Sequence, residues 1–103
     1  MIIAVAASKR SESAEISAQA GRAPFFLLFD EQGALLETLK NPFSVGGGGA
    51  GFGVAKMLAD MHVDAVAAGK FGPKMIGALK DRGVREYELN GTVKDALKKI
   101  LEE

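Results

Sequence analysis

Three features of this 103-residue chain carry residue types that could do chemistry. The first is the stretch NPFSVGGGGAGFGVAKML, residues 41–58, in which Gly46, Gly47, Gly48, Gly49 and Gly51 run into an apolar-periodic segment. Each glycine costs roughly 0.5–1 kcal/mol relative to alanine inside regular structure. Such a run is therefore expected where a side chain would block a close approach, and its bare amides would attract an anion. The second is GKFGP, residues 69–73, which offers Lys70, Phe71 and Gly72 in a tight connection that ends on a proline. The third is a pair of cationic positions: Lys9 beside Ser8, and Arg22 held between Gly21 and Ala23-Pro24. Taken together, Ser8, Lys9, Arg22, the glycine run and Lys70-Phe71-Gly72 are the candidate binding residues, and the chemistry they suit is retention of an anion.

Other chemistries fit less well. The glycine spacings imitate a dinucleotide fingerprint, but that fingerprint follows the first strand directly, whereas this run follows Asn41-Pro42 in mid-chain. A P-loop needs Gly-Lys-Ser/Thr after its glycines, and Ala50-Gly51-Phe52 stands there instead. Ser13, Asp30 and His62 are the residue types of a hydrolytic triad, yet none sits in a nucleophile elbow. Asp30 and Glu31 suit a turn, and the single histidine, His62, suits the end of a helix. Cysteine is absent, which removes thiolate nucleophiles, disulfides and cysteine-ligated iron–sulfur clusters. No catalytic residue is assigned, and an enzyme is not expected.

The elements that must position these residues follow from hydrophobic periodicity. Ile2–Ala7 is a continuous apolar run, suited to a central strand covered on both faces. Residues 8–21 lack clear periodicity and read as a loop with at most one helical turn. Phe25–Phe29 and Ala34–Leu39 flank the turn DEQG, so a hairpin is expected with Gly33 at a positive φ. Asn41-Pro42 ends the third strand. Val54, Met57, Leu58 and Met61 then fall three and four apart, which predicts a helix from about Ala50 or Gly51. Asp64–Gly69 reads as a buried strand, and Pro73 opens a helix with the stripe Met75, Ile76 and Leu79 and a stop at Gly83. Val84–Leu89 is an edge-like strand, and Thr92 caps a last helix that has Asp95 at the capping-box position. The order β-β-β-α-β-α-β-α predicts one domain over residues 1–103, a mixed five-stranded sheet flanked by helices. In such sheets ligands lie beyond the carboxyl ends of the parallel strands. The connections at residues 8–10, 46–51, 69–73 and 90–92 are expected to meet there.

Thirteen Lys plus Arg balance thirteen Asp plus Glu, so bulk charge does not direct the protein to nucleic acid or anionic lipid. The apolar start lacks the basic leader and cleavage pattern of a signal peptide, and no run approaches the roughly 20 apolar residues of a membrane span. A cytoplasmic protein is expected, either monomeric or a weak homodimer.

GRAPFFLLFD (21–30), NPFSVGGGGAGFGVAKML (41–58), VDAVAAGKFGPKMIGAL (63–79) and GTVKDAL (91–97) together resemble the dinitrogenase iron-molybdenum cofactor biosynthesis family. The resemblance spans nearly the whole chain. It implies a ribonuclease-H-like α/β domain without nuclease chemistry, and a role in holding iron–molybdenum cofactor or its iron–sulfur precursor, with metallocluster-assembly proteins as partners. Gly21, Arg22, Pro24, Gly48, Gly49, Gly51, Gly72 and Pro73 match the family pattern. Where family members often carry His-Phe before Gly-Arg-Ala-Pro this chain has Gln19-Ala20, and the loop after Asn-Pro contains no histidine. A cluster would thus be held without Cys or His ligands, by Lys9, Arg22, Lys70 and the glycine-loop amides. The other reading from the residues is a regulatory or protein-interaction module with Phe43 and Phe52 as exposed contacts.

Overall fold

The computed structural model describes residues 1–46 and 48–103. Its elements are β1 (Ile2–Ala7), β2 (Phe25–Asp30), β3 (Leu35–Lys40), α1 (Ala50–Asp60), β4 (Ala65–Ala68), α2 (Pro73–Asp81), β5 (Arg85–Glu88) and α3 (Val93–Leu101). The five strands form one sheet in the order β3-β2-β1-β4-β5. β1 is antiparallel to β2 and parallel to β4, β2 is antiparallel to β3, and β4 is parallel to β5. This is the ribonuclease-H-like arrangement, and it matches the expected order and mixed character of the sheet. The 8–21 segment, expected to be a loop, carries no helix and touches regular structure through isolated bridges, Ala7 with Ile16 and Glu15 with Thr92.

Apolar runs without alternation occupy the middle of the sheet because both faces there are covered. Ile3–Ala7 and Ala65–Ala68 are buried throughout, and Phe26 and Leu28 point to one face while Leu27 and Phe29 point to the other. On the first face Val54, Ala55 and Leu58 of α1 pack with Met75, Ala78 and Leu79 of α2. On the second, Val93, Ala96, Leu97 and Ile100 of α3 cover Ile3, Val5, Leu27 and Phe29. The polar outer strands, β3 and β5, lie at the two edges, where alternation and charge are tolerated.

The helix boundaries are written in side-chain and backbone chemistry. Thr92 caps α3, its hydroxyl accepting from the Asp95 amide at 3.2 Å. Helices α1 and α2 stop the same way. In α2 the Gly83 amide donates to Lys80 O and the Val84 amide to Leu79 O; in α1 the His62 amide donates to Ala59 O and the Val63 amide to Leu58 O. Both are Schellman closures with an apolar residue packing back onto the last turn. Gly83 supplies the left-handed residue at φ 72°, whereas α1 places His62 there at φ 63°, a conformation disfavoured for a residue with a Cβ. Replacing His62 with Gly removes that penalty, less the extra entropy glycine has in the unfolded chain. A net gain of about 0.5–1 kcal/mol is expected, seen as a melting temperature raised by roughly 2–8 °C. An unchanged or lowered melting temperature would contradict the assignment of strain to this residue.

Candidate functional site

Two helices begin side by side on the α1/α2 face. The N-cap of α1 is Gly49, at φ 86°, and that of α2 is Gly72; neither supplies a capping side chain, and neither first turn contains an acidic residue. In α1 the first intrahelical bond runs from the Gly53 amide to Gly49 O, and in α2 from the Ile76 amide to Gly72 O. The amides before them belong to the helix starts, where the backbone carries partial positive charge. Between the two starts lies a cleft of about 600 Å³, which extends to the segment leading into β2.

Its lining explains much of the glycine content. Gly21 sits where a Cβ would lie 3.2 Å from the Gly51 amide nitrogen, and Gly51 where a Cβ would lie 2.9 Å from the Cβ of Met75. Part of what comes so close to this backbone is thus the protein itself: α1 closes on α2 and on the Gly21 segment. Gly53 plays a similar part outside the cleft, where a Cβ would meet the Phe43 ring at 2.5 Å. Around Gly48, Gly49, Gly46 and Gly72, by contrast, a Cβ would meet nothing within 4 Å. Those positions face open space, and at Gly46 and Gly49 a positive φ of 118° and 86° favours glycine.

The charged groups of the lining are Arg22, Lys70 and Lys74. Gln19 adds an amide, and Ala20, Ala50, Phe71, Pro73 and Met75 give apolar wall; no carboxylate, imidazole, hydroxyl or thiol lines the cleft among the described residues. Nor does any cluster of three or more His, Cys, Asp or Glu there suit a metal ion. Shifted proton affinities occur elsewhere. The Tyr87 phenol is pushed up by burial and by its bond to Glu103, and the Asp60 carboxyl is lowered by its hydrogen bond to Lys56.

Two loops hold the Arg22 side of the cleft. Asn41, the one buried polar residue of the described chain at 1% exposure, donates through Nδ2 to Gly21 O at 3.1 Å and to Ala23 O at 2.9 Å. Its Oδ1 accepts from the Phe43 amide at 2.9 Å, and the Arg22 guanidinium donates to Phe43 O at 3.0 Å. On the opposite side the Ala20 amide donates to Lys70 O at 3.0 Å, and the Phe71 amide to Glu88 Oε2 at 3.3 Å.

The candidate residues read from the sequence divide accordingly. Arg22, Gly51, Lys70, Phe71 and Gly72 line the cleft, and Gly49 begins the helix beside it. Phe71 does so with its side chain only 3% exposed, because it plugs the core between β4 and α2. Gly46 and Gly48 are exposed on the loop that leads to α1, and Gly47 lies outside the described residues. Ser8 and Lys9 are exposed but do not line the cleft. The chain turns away after β1 to pair Ile16 with Ala7 and to place Ile16 in the α3 core, and the 90–92 connection goes with it through the Glu15–Thr92 bridge. Sequence reasoning missed Lys74 and Asn41. A proline at N1 puts the next residue, Lys74, in the first turn, so the first was readable; Asn41 gave no signal beyond its turn chemistry.

The sequence model of the family described as dinitrogenase iron-molybdenum cofactor matches residues 1–103. The chain belongs to that family. The apo form of the orange protein from Desulfovibrio gigas superposes with a TM-score of 0.90 at 30% identity, covering 98% of this chain and 87% of that one. A Thermotoga protein provisionally assigned as NifB gives 0.82 at 27% identity over 98% and 87% of the two chains. A Methanocaldococcus jannaschii protein provisionally assigned as a dinitrogenase shares the fold, with a TM-score of 0.63 at 15% identity over 99% and 88%. No curated protein matches in sequence. Among the described residues no helix is long and apolar enough to cross a membrane.

The packing around the glycines sets a stability test. Gly51→Ala gains roughly 1 kcal/mol of helix propensity, but its Cβ must displace the Met75 Cβ and hence α2, an overpacking cost of about 1–3 kcal/mol. Gly51→Ala is expected to lower the denaturant midpoint, and Gly48→Ala to stay within about 0.5 kcal/mol of the parent. Urea unfolding of both variants checks this, and equal effects would refute the distinction between packed and open glycines.

Proposed function

We propose that this chain is a non-catalytic module that binds an anionic cargo, an iron–sulfur or iron–molybdenum cluster or its precursor, in the cleft between the starts of α1 and α2 during cofactor assembly or carriage. The observation that carries this reading is the charge of the cleft. Arg22, Lys70 and Lys74 and two helix N-termini border it, and among the described residues no carboxylate lines it. Each helix terminus adds about 0.3–1 kcal/mol for an exposed anion, and the cations add charge-assisted donors. The wall of Ala20, Pro73 and Met75 suits a soft, weakly hydrated body such as a metal sulfide, and Met75 brings a polarizable thioether. Family membership supports the same class of cargo. Proteins of metallocluster assembly would be its partners.

The other reading, a protein-interaction module, is favoured by one observation. Val45 and Phe52 are 82% and 56% exposed on either side of the glycine run, with Phe52 stacked under the Arg82 guanidinium at 4.9 Å. Phe43, expected to be exposed with them, is half-buried with its ring against Gly53.

Anaerobic purification from the native host, with metal analysis and an absorption spectrum, tests the proposal directly: stoichiometric iron or molybdenum is the expected result. Titration with tetrathiomolybdate, a coloured molybdenum–sulfur dianion, then tests the site. Arg22→Ala and Lys70→Ala should each weaken binding about fivefold to tenfold. Lys98→Ala, on the exposed side of α3, should change it less than about twofold. Equal losses in all three variants would remove the cleft as the site, and protection of the glycine run from protease only by a protein partner would favour the other reading.

A further inference from the structure

We infer that Asn41 is a positioning residue for the anion cleft: its buried side chain fixes the backbone on both sides of Arg22 and thereby aims the guanidinium. This rests on the cleft proposed above as the binding site. Three observations meet at this side chain. Its two Nδ2 hydrogens go to Gly21 O and Ala23 O, the carbonyls that flank Arg22. Its Oδ1 takes the amide of Phe43, the residue whose carbonyl receives the Arg22 guanidinium. Its backbone amide donates to Pro24 O at 3.0 Å, and its carbonyl accepts from the Ser44 amide at 3.2 Å. A closed ring of bonds therefore runs from Asn41 through Gly21 and Arg22 to Phe43 and back. Asn41 is shut off from water at 1% exposure and Ala23 is fully buried, while Gly21, Arg22 and Phe43 are half-buried.

The amide is the group this place requires. Two donors and one acceptor are used, and asparagine alone combines them on a short stem. Aspartate has the same shape but no donors, and it would set a carboxylate oxygen against two carbonyl oxygens. Serine has a single donor, so it can keep at most one of the two bonds to the carbonyls that flank Arg22. A free arginine side chain samples many rotamers, so a guanidinium held at one end of its loop pays less entropy when an anion arrives.

The test begins on the ligand-free protein. The steady-state heteronuclear NOE of the Arg22 Nε–Hε group is measured by NMR in the parent, in Asn41→Ser and in Asn41→Asp, with the backbone amides of the sheet as the rigid reference. The expected result is an Arg22 value near that of the backbone in the parent and well below it in whichever variant keeps a folded amide spectrum. Arg22 staying as rigid as in the parent in a folded variant overturns the inference. The second arm is a tetrathiomolybdate titration in two backgrounds. Asn41→Ser should weaken binding about tenfold, as loss of a supporting residue typically does, and should cause no further loss when added to Arg22→Ala. The same tenfold loss in both backgrounds would show a merely structural role and overturn the inference. Should the parent take up no tetrathiomolybdate, the cleft reading fails, while the ligand-free NOE still decides whether Asn41 orders Arg22.

Discussion

Gly51 and Met75 approach so closely that a methyl group on the first would lie 2.9 Å from the Cβ of the second, and the geometry of the cleft depends on that contact. Helices usually keep 8–10 Å between axes according to the side chains at the crossing. A glycine in the first turn of α1 lets α2 come in at its own first turn. β3 runs the same way as β4, since both align with β1, so α1 leaving β3 and α2 leaving β4 start at the same end of the sheet. Close approach at the N-termini and common direction together place two positive helix ends around one space. The alanines of β1 and β4 work toward the same result, since small side chains let α1 and α2 lie close on the sheet.

The charge distribution follows from this geometry. An acidic residue in either first turn would satisfy the helix ends internally and weaken the attraction for an outside anion. Neither helix has one, while α3, which does not border the cleft, carries Asp95 in its first turn beside the Thr92 cap. The same chain thus caps one helix conventionally and leaves two capped by glycine alone. The contrast argues that the bare starts of α1 and α2 reflect their shared space, because capping residues were compatible with the fold elsewhere. A net charge of zero conceals this arrangement: three of the thirteen positive side chains line the cleft, and none of the negative ones among the described residues does.

Much of the fold was legible because the chain reports burial plainly. Uninterrupted apolar runs marked the covered strands, DEQG marked the hairpin, and Pro73, Gly83 and Thr92 marked helix ends by their own backbone chemistry. The site was less legible because glycine is ambiguous. Gly51 and Gly53 are small to admit Met75 and Phe43, whereas Gly48 and Gly72 face open space, and the residue type carries no mark of that difference. Lys9 looked equivalent to Lys70, since both follow an apolar strand. Whether a strand-end residue reaches the α1/α2 side or the α3 side is decided by where the next segment packs, and Ile16 takes the 8–17 segment into the α3 core. Asn41 was hidden for a related reason, as its partners at Gly21 and Ala23 lie 20 and 18 residues away.

Retention by charge and backbone dipoles has a consequence for what such a site can do. Thiolate or imidazole ligands form coordinate bonds that must be broken or exchanged before a cluster leaves. The described residues offer no cluster of such ligands, and at Gly72 in the cleft lining an added Cβ would meet only open space. Interactions of exposed charges are attenuated over about 8–10 Å at physiological salt, so the hold on an anion is strongest in direct contact and decays quickly as it moves out. On the proposed reading, the apolar wall of Ala20, Pro73 and Met75 would offset part of that weakness, because it would exclude water from one side of a bound anion and lower the local dielectric against which the cations act. A cargo retained in this way keeps its own coordination shell intact. It can be passed on without a ligand-exchange step at the carrier, which is the property that distinguishes carriage from permanent incorporation.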